Sequence, residues 1–325
     1  MHRIARTCVE LLKTTRRTGL SLTILASLLC GLMSAQAARL PCRQCATWNI
    51  PQVPFRIYGN TYYVGPHGLS SILVTSSAGH VLIDGALPES VPQIVANIRT
   101  LGFRIEDVKL IVNSHAHFDH AGGIAELQRL SGARVVVSSW TSEVMTKTGV
   151  ARNDPQYGVV SPIALVAHVE TLSDNQTFNV GELALTAHLT PGHTPGGTSW
   201  TWKSCEAGNC LDMVYADSLS PVSADGFKFT GSREYPNVIQ DFKKSFSFLR
   251  TTPCDILLTP HPEASSFWDR VEARRTRSKP DPTKSNPPKS DPPNLDPMVD
   301  SSACRHLVDM FEDKLRERLA EEAAH

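Results

Sequence analysis

Ile111-Val112-Asn113-Ser114-His115-Ala116-His117-Phe118-Asp119-His120-Ala121-Gly122-Gly123 packs three histidines and an aspartate into six residues. The apolar run before it, 108–112, reads as a buried strand, and 121–130 (AGGIAELQRL) has helical spacing. The cluster therefore falls on the loop at a strand's C-terminal end, where α/β sheets present their ligands. Imidazole and carboxylate are the donors that borderline and hard divalent metals take. His115 and His117, two apart, can approach one ion together, while Asp119 and His120, one step further round the turn, can face a second. A chance H-x-H-x-D-H match in a chain of this His and Asp content is on the order of one in a thousand. The stretch is a metal site on an α/β framework.

The rest of the chain supplies that framework. Short strands at 55–58, 61–64, 71–75 and 80–83 form a meander, with turns at Gly59-Asn60, Pro66-His67-Gly68 and Ala78-Gly79. An amphipathic helix over 91–101 is closed by Gly102. After the metal loop come a strand at 134–138, a helix near 141–148 and a stretch, 151–163, without period and rich in turn residues, which reads as a mobile loop. A strand at 183–189 leads into Thr190-Pro191-Gly192-His193-Thr194-Pro195-Gly196-Gly197, and another at 256–259 leads into His261. Both histidines follow strands on tight turns, so their side chains can reach a site above a sheet. Two βα-rich halves that each deliver ligands from strand ends suggest two β-sheets packed face to face with helices outside. No internal repeat is visible.

The chain has 325 residues, 41% of them hydrophobic and 20% charged, which is ordinary for a globular protein. Its formal net charge of zero gives no argument for nucleic acid as partner. Residues 1–37 read as a signal peptide: Arg3, Arg6, Lys13, Arg16 and Arg17 precede an apolar core, LSLTILASLLCGLM, and a small-x-small site at Ala35-Gln36-Ala37. Arg16-Arg17 leaves Sec and twin-arginine export both open. Beyond that region no apolar stretch is long enough to span a bilayer. The expectation is a single domain over 38–325, exported to the periplasm and monomeric.

Six cysteines remain after residue 37, an even number that reads as disulfides in an oxidising compartment. Cys205 and Cys210 flank Glu206-Ala207-Gly208-Asn209, a turn between apolar runs, and a bridge across that hairpin is the simplest reading. Cys254 and Cys304 then pair by elimination. Whether Cys42 and Cys45 close a tight loop on each other stays open. The insertion near 274–298 (RRTRSKPDPTKSNPPKSDPPNLDP over 274–297) has almost nothing to bury and reads as a polyproline-like surface segment. A C-terminal helix over 301–323 follows, with Leu307, Met310, Phe311, Leu315 and Leu319 on one face.

Ligands on separate strand-end loops in this order resemble the metallo-β-lactamase superfamily. The stretches at 70–85 (SSILVTSSAGHVLIDG), 190–200 (TPGHTPGGTSW), 215–220 (YADSLS) and 258–265 (LTPHPEAS) are similar to its subclass B3. The resemblance covers roughly 46–270 and the final helix. The Pro/Lys-rich insertion departs from the usual length, and Cys45 has no counterpart.

The resemblance implies an αβ/βα four-layer sandwich with two zinc ions per chain, one held by His115, His117 and His193, the other by Asp119, His120 and His261. It implies hydrolysis of the β-lactam amide of penicillins, cephalosporins or carbapenems by a metal-held hydroxide, with Asp119 also catalytic in orienting that group. Ser218, where related subclasses have a cysteine ligand, and Ser220 would bind the substrate carboxylate. Tyr157 on the 151–163 loop, together with the 66–69 turn, would wall the groove. Asp217 carries the alternative. In glyoxalase II-like thioesterases and phosphodiesterases an aspartate in this neighbourhood bridges the metals. The Ser-Leu-Ser that follows it here favours the lactamase over such a thioesterase, lactonase or phosphodiesterase. A non-catalytic secreted zinc-binding protein would require a degraded ligand set, and all six ligands are present.

Overall fold

The computed structural model describes residues 40, 42–277 and 296–324. The segment read as a signal peptide and most of the Pro/Lys-rich insertion lie outside the described residues. The first sheet contains β1 (Phe55–Tyr58), β2 (Thr61–Tyr63), β3 (Ile72–Ser76), β4 (Gly79–Ile83), β5 (Val108–Val112), β6 (Arg134–Val137) and β7 (Val169–Thr171) in chain order. The second contains β8 (Thr177–Val180), β9 (Leu183–Leu189), β10 (Thr198–Glu206), β11 (Asn209–Tyr215) and β12 (Ile256–Leu258), in the order β12-β11-β10-β9-β8. Neighbours are antiparallel up to β4 and parallel from β4 to β7, where helical crossovers replace hairpins. In the second sheet only β12, reached through a long helix, is parallel to its neighbour.

Side-chain alternation builds the layers. In β5, Leu110 and Val112 face the second sheet while Val108 and Ile111 face helices α2 (Val91–Thr100) and α4 (Ile124–Ser131). In β11, Met213 and Tyr215 face the first sheet, and Val214 faces α6 (Val238–Thr251) and α8 (Ala303–Ala323). Both central strands are covered on each face, which is why they read as near-continuous apolar runs. Between the sheets, Trp200, Trp202, Tyr63 and Tyr215 fill the core, and Trp202 Nε1 donates to Thr61 Oγ1 at 3.0 Å. The result is the expected helix–sheet–sheet–helix sandwich.

Several local expectations change. The metal loop does not run into one helix. It forms a single turn, α3 (Phe118–Ala121), and restarts as α4 after Gly122-Gly123. A Cβ on Gly123 would lie 2.3 Å from Gly85 O, so the break lets the loop press against the end of β4. The helix expected near 141–148 begins earlier, as α5 (Ser139–Glu143), and its last turn is π-helical over Val144–Thr148. The 151–163 segment has no regular element, but it is tied down. Ile163 N donates to Gly149 O, Ala224 N to Pro155 O and Leu40 N to Ser161 Oγ, so it is a chain of pinned turns rather than a free loop.

The structure joins three cysteine pairs: Cys205–Cys210 and Cys254–Cys304, as expected, and also Cys42–Cys45. The last closes the loop that enters α1 (Cys45–Trp48), a short helix in the segment leading to β1.

One buried carboxylate links the sheets where the metal loop starts. Asp84, in the left-handed region at φ 61° just beyond β4, accepts from Asn113 Nδ2, Ser114 N, Ser114 Oγ and Tyr215 OH at 2.7–2.8 Å. Aspartate tolerates that backbone conformation better than most residues. Burial pushes its carboxyl up to about 7 despite the donors. Asp84→Ala would leave those donors buried and unpaired, and we predict a loss of about 3 kcal/mol or more. Urea unfolding followed by circular dichroism measures it. An unchanged midpoint would show the clamp to be dispensable.

Candidate metal centre

Three strand-end loops converge on one edge of the sandwich. The loop after β5 brings His115, His117, Asp119 and His120, the turn between β9 and β10 brings His193, and the turn after β12 brings His261. They gather in two groups. The candidate donor atoms of His115, His117 and His193 lie within 4.8 Å of one another, as do those of Asp119, His120 and His261. The groups adjoin, with the His115 and His120 ring centroids 4.5 Å apart. Asp119 Oδ2 is the hub of the second group, 3.3 Å from His120 Nε2 and 3.2 Å from His261 Nε2.

The donors fit a metal. His115 Nε2 is buried without a hydrogen-bond partner among the described residues, a costly state for a polar atom that coordination relieves. Burial, with the crowding of neighbouring imidazoles, holds His115, His120 and His193 well below the usual histidine range. The neutral ring is the form that ligates. Burial alone would raise the Asp119 carboxyl, but His120 and His261 outweigh it and keep the group ionised. Nitrogen donors with one carboxylate, three per position, are those of a two-zinc centre with room for further ligands.

The family model described as the metallo-beta-lactamase superfamily matches residues 64–261. The chain belongs to the metallo-β-lactamase superfamily. The solved Rm3 metallo-beta-lactamase is 52% identical, with a TM-score of 0.80, over 87% of this chain and 100% of that one. MEM-A1, a subclass B3 metallo-beta-lactamase isolated from a soil metagenome library, is 45% identical, with a TM-score of 0.78, over 85% of this chain and 99% of that one. A hydroxyacylglutathione hydrolase of Bradyrhizobium sp. (strain ORS 278) is 29% identical over 171 residues, 53% of each chain. The chain thus spans about half the length of that curated relative.

As a metallo-β-lactamase-superfamily centre, the site has a well-developed second layer. His115 Nδ1 meets Asp217 Oδ1 at 2.7 Å, His117 Nε2 meets Asp154 Oδ2 at 2.8 Å, and His193 Nδ1 donates to Ser220 O at 2.8 Å. Partners of this kind fix the tautomer and ring angle of a ligating histidine. Asp217 is therefore engaged with a candidate ligand of the first position, and it belongs to neither donor group. Asp154 could not be found from the sequence, because Asn153-Asp154-Pro155-Gln156 has the composition of any exposed turn.

The two groups floor a cleft of about 540 Å³. Ser218 and Ser220 line it, as do Gln156, Val159, Val160, Ser161 and Val222. Two expected wall elements do not. Tyr157 turns away into a separate hollow with Trp140 and Glu143, its ring 5.6 Å from the Arg152 guanidinium. Its neighbour Gln156 takes the inward direction, with its backbone N–H bonded to Asp154 Oδ1. The 66–69 turn is occupied elsewhere, His67 stacking on Trp268 at 4.2 Å. The wall expected of it is made by the segment at 40–48, with Leu40, Arg43 and Gln44 on the cleft and the Trp48 ring 5.1 Å from His261.

Gly197 makes room for Asp217: a Cβ there would sit 2.3 Å from Asp217 Oδ2 and 2.5 Å from Thr190 O. We predict that Gly197→Ala displaces Asp217 and weakens zinc at the first position about tenfold or more. Zinc per chain after dialysis against graded chelator is the measurement. Wild-type retention would mean that His115 does not need this support.

Proposed function

We propose that this protein hydrolyses the amide bond of β-lactam antibiotics with two zinc ions bound at the paired ligand groups. One observation carries the reading: two complete three-donor groups sit side by side under a cleft with serines on its rim, in a chain 52% identical to a metallo-beta-lactamase. Zinc bound there supplies a Lewis acid and lowers the pKa of water to about 7. His115, His117 and His193 would hold the first ion, and Asp119, His120 and His261 the second.

The chain's own groups account for the remaining work. With Oδ2 directed at His120 and His261, Asp119 has Oδ1 to orient the attacking water and accept its proton. Ser218 and Ser220, with hydroxyls on the cleft, bind the substrate carboxylate. Trp48, Val159 and Val222 present apolar surface to the acyl side chain and exclude bulk water. Tyr157 has no part in this scheme.

Thioester hydrolysis is the second reading, suggested by the hydroxyacylglutathione hydrolase similarity. It calls for an aspartate shared between the metals, and the hydrogen bond that His115 Nδ1 donates to Asp217 Oδ1 speaks against it. Three disulfides and the composition of residues 1–37 support action in the periplasm.

The test uses the protein as isolated, after chelation and after zinc return, against a carbapenem, a cephalosporin and a glutathione thioester. We expect rapid β-lactam turnover that chelation abolishes and zinc restores. Thioester turnover with inert β-lactams would replace this reading with the second one.

A further inference from the structure

The geometry points to Asp154 as a positioning residue that joins the cleft wall to the first metal position. Its two carboxylate oxygens have separate tasks. Oδ2 lies 2.8 Å from His117 Nε2. Oδ1 accepts the backbone N–H of Gln156 at 2.8 Å, which shapes the turn carrying Gln156, Val159, Val160 and Ser161 along the cleft. The carboxylate and the imidazole are nearly sealed from solvent, with side chains 3% and 4% exposed.

Chemistry determines what the pair does. An ionised carboxylate only accepts, so His117 must carry its proton on Nε2. That leaves Nδ1 as the lone-pair atom, the one atom of the ring able to hold the ion in company with His115 and His193. A carboxylate held 2.8 Å from the far nitrogen makes a ligating ring more basic as well as better aimed. The other two rings of the group rest on partners elsewhere, Asp217 and Ser220. Within that group it is His117 whose carboxylate partner also fixes the turn carrying Gln156, Val159, Val160 and Ser161.

The same wall is tied at two further points. Pro155 O accepts from Ala224 N, and Ser161 Oγ accepts from Leu40 N across the cleft. A substrate pressing on 156–161 therefore pushes against a chain whose inner anchor is a metal ligand. In this arrangement wall position and first-site zinc affinity are one coupled quantity.

Asparagine tests this without changing size. It has one acceptor oxygen where Asp154 uses two, and an amide N–H turned toward His117 would impose the tautomer that cannot ligate through Nδ1. The inference rests on the zinc reading above, and its readout is metal binding, not turnover. In chelator competition with the full mature chain, Asp154→Asn and Asp154→Ala should each weaken the first zinc about 10–100-fold and leave the second in place. Cobalt-loaded Asp154→Asn should show altered visible bands. Ser161→Ala frees the same wall without touching His117 and should retain wild-type affinity for both ions. Wild-type zinc affinity and cobalt bands in both Asp154 variants would overturn the proposal. So would equal metal loss in Ser161→Ala, which would make the effect one of general loosening. Inert β-lactams alongside the expected metal result would remove the lactamase reading alone.

Discussion

The structure depends on keeping ionisable groups inside a sandwich core without leaving any of them isolated. Asp84 is the clearest case, since a buried carboxylate is tolerable only when its lone pairs are met. Its four donors come from two sources: Asn113 and Ser114 open the metal loop, and Tyr215 ends β11 of the opposite sheet. Satisfying one charge thus locks the start of the ligand loop to both sheets. Trp200 Nε1 on Asn113 O and Thr198 N on Ser114 O reinforce the same junction from β10. The candidate ligands that follow inherit a rigid origin, as a site needing placement to within about half an ångström requires.

What was legible in the sequence divides along a physical line. Metal donors are few in type and must converge, so their spacing after apolar strands marks them out, and all six come together in space. Apolar alternation likewise exposed β1 to β6 and β9 to β12, because burial enforces a pattern along the chain. The strands Val169–Thr171 and Thr177–Val180 were not foreseen. They are three and four residues long, lie at the ends of their sheets and are largely polar. The long helix Val238–Thr251 was also missed, although Val238, Phe242, Phe246 and Leu249 carry its signal at helical spacing.

Second-layer groups were the least legible. Asp154 and Asp84 have turn-like neighbours, and only the fold reveals that each is buried against a specific donor. Tyr157 shows the converse error. Its aromatic side chain in a cleft-forming loop suggested substrate contact, but successive residues of a tight turn face opposite ways, and Gln156 had already taken the inner side. The 66–69 turn was displaced from the cleft by a competitor in the sequence: residues 40–50 lie over it, with His67 N bonded to Ile50 O and Gly68 N to Trp48 O.

The Cys254–Cys304 bridge changes what residues 278–295 are required to do. It fastens α8 to the end of α6 and β12 by a path that bypasses that stretch, and Arg274 holds Asp296 from the other side. Backbone continuity there is not what attaches the last helix. Cleavage of a peptide bond between 277 and 296 would still leave one covalent molecule with its final helix docked. A cut anywhere in that stretch therefore separates nothing.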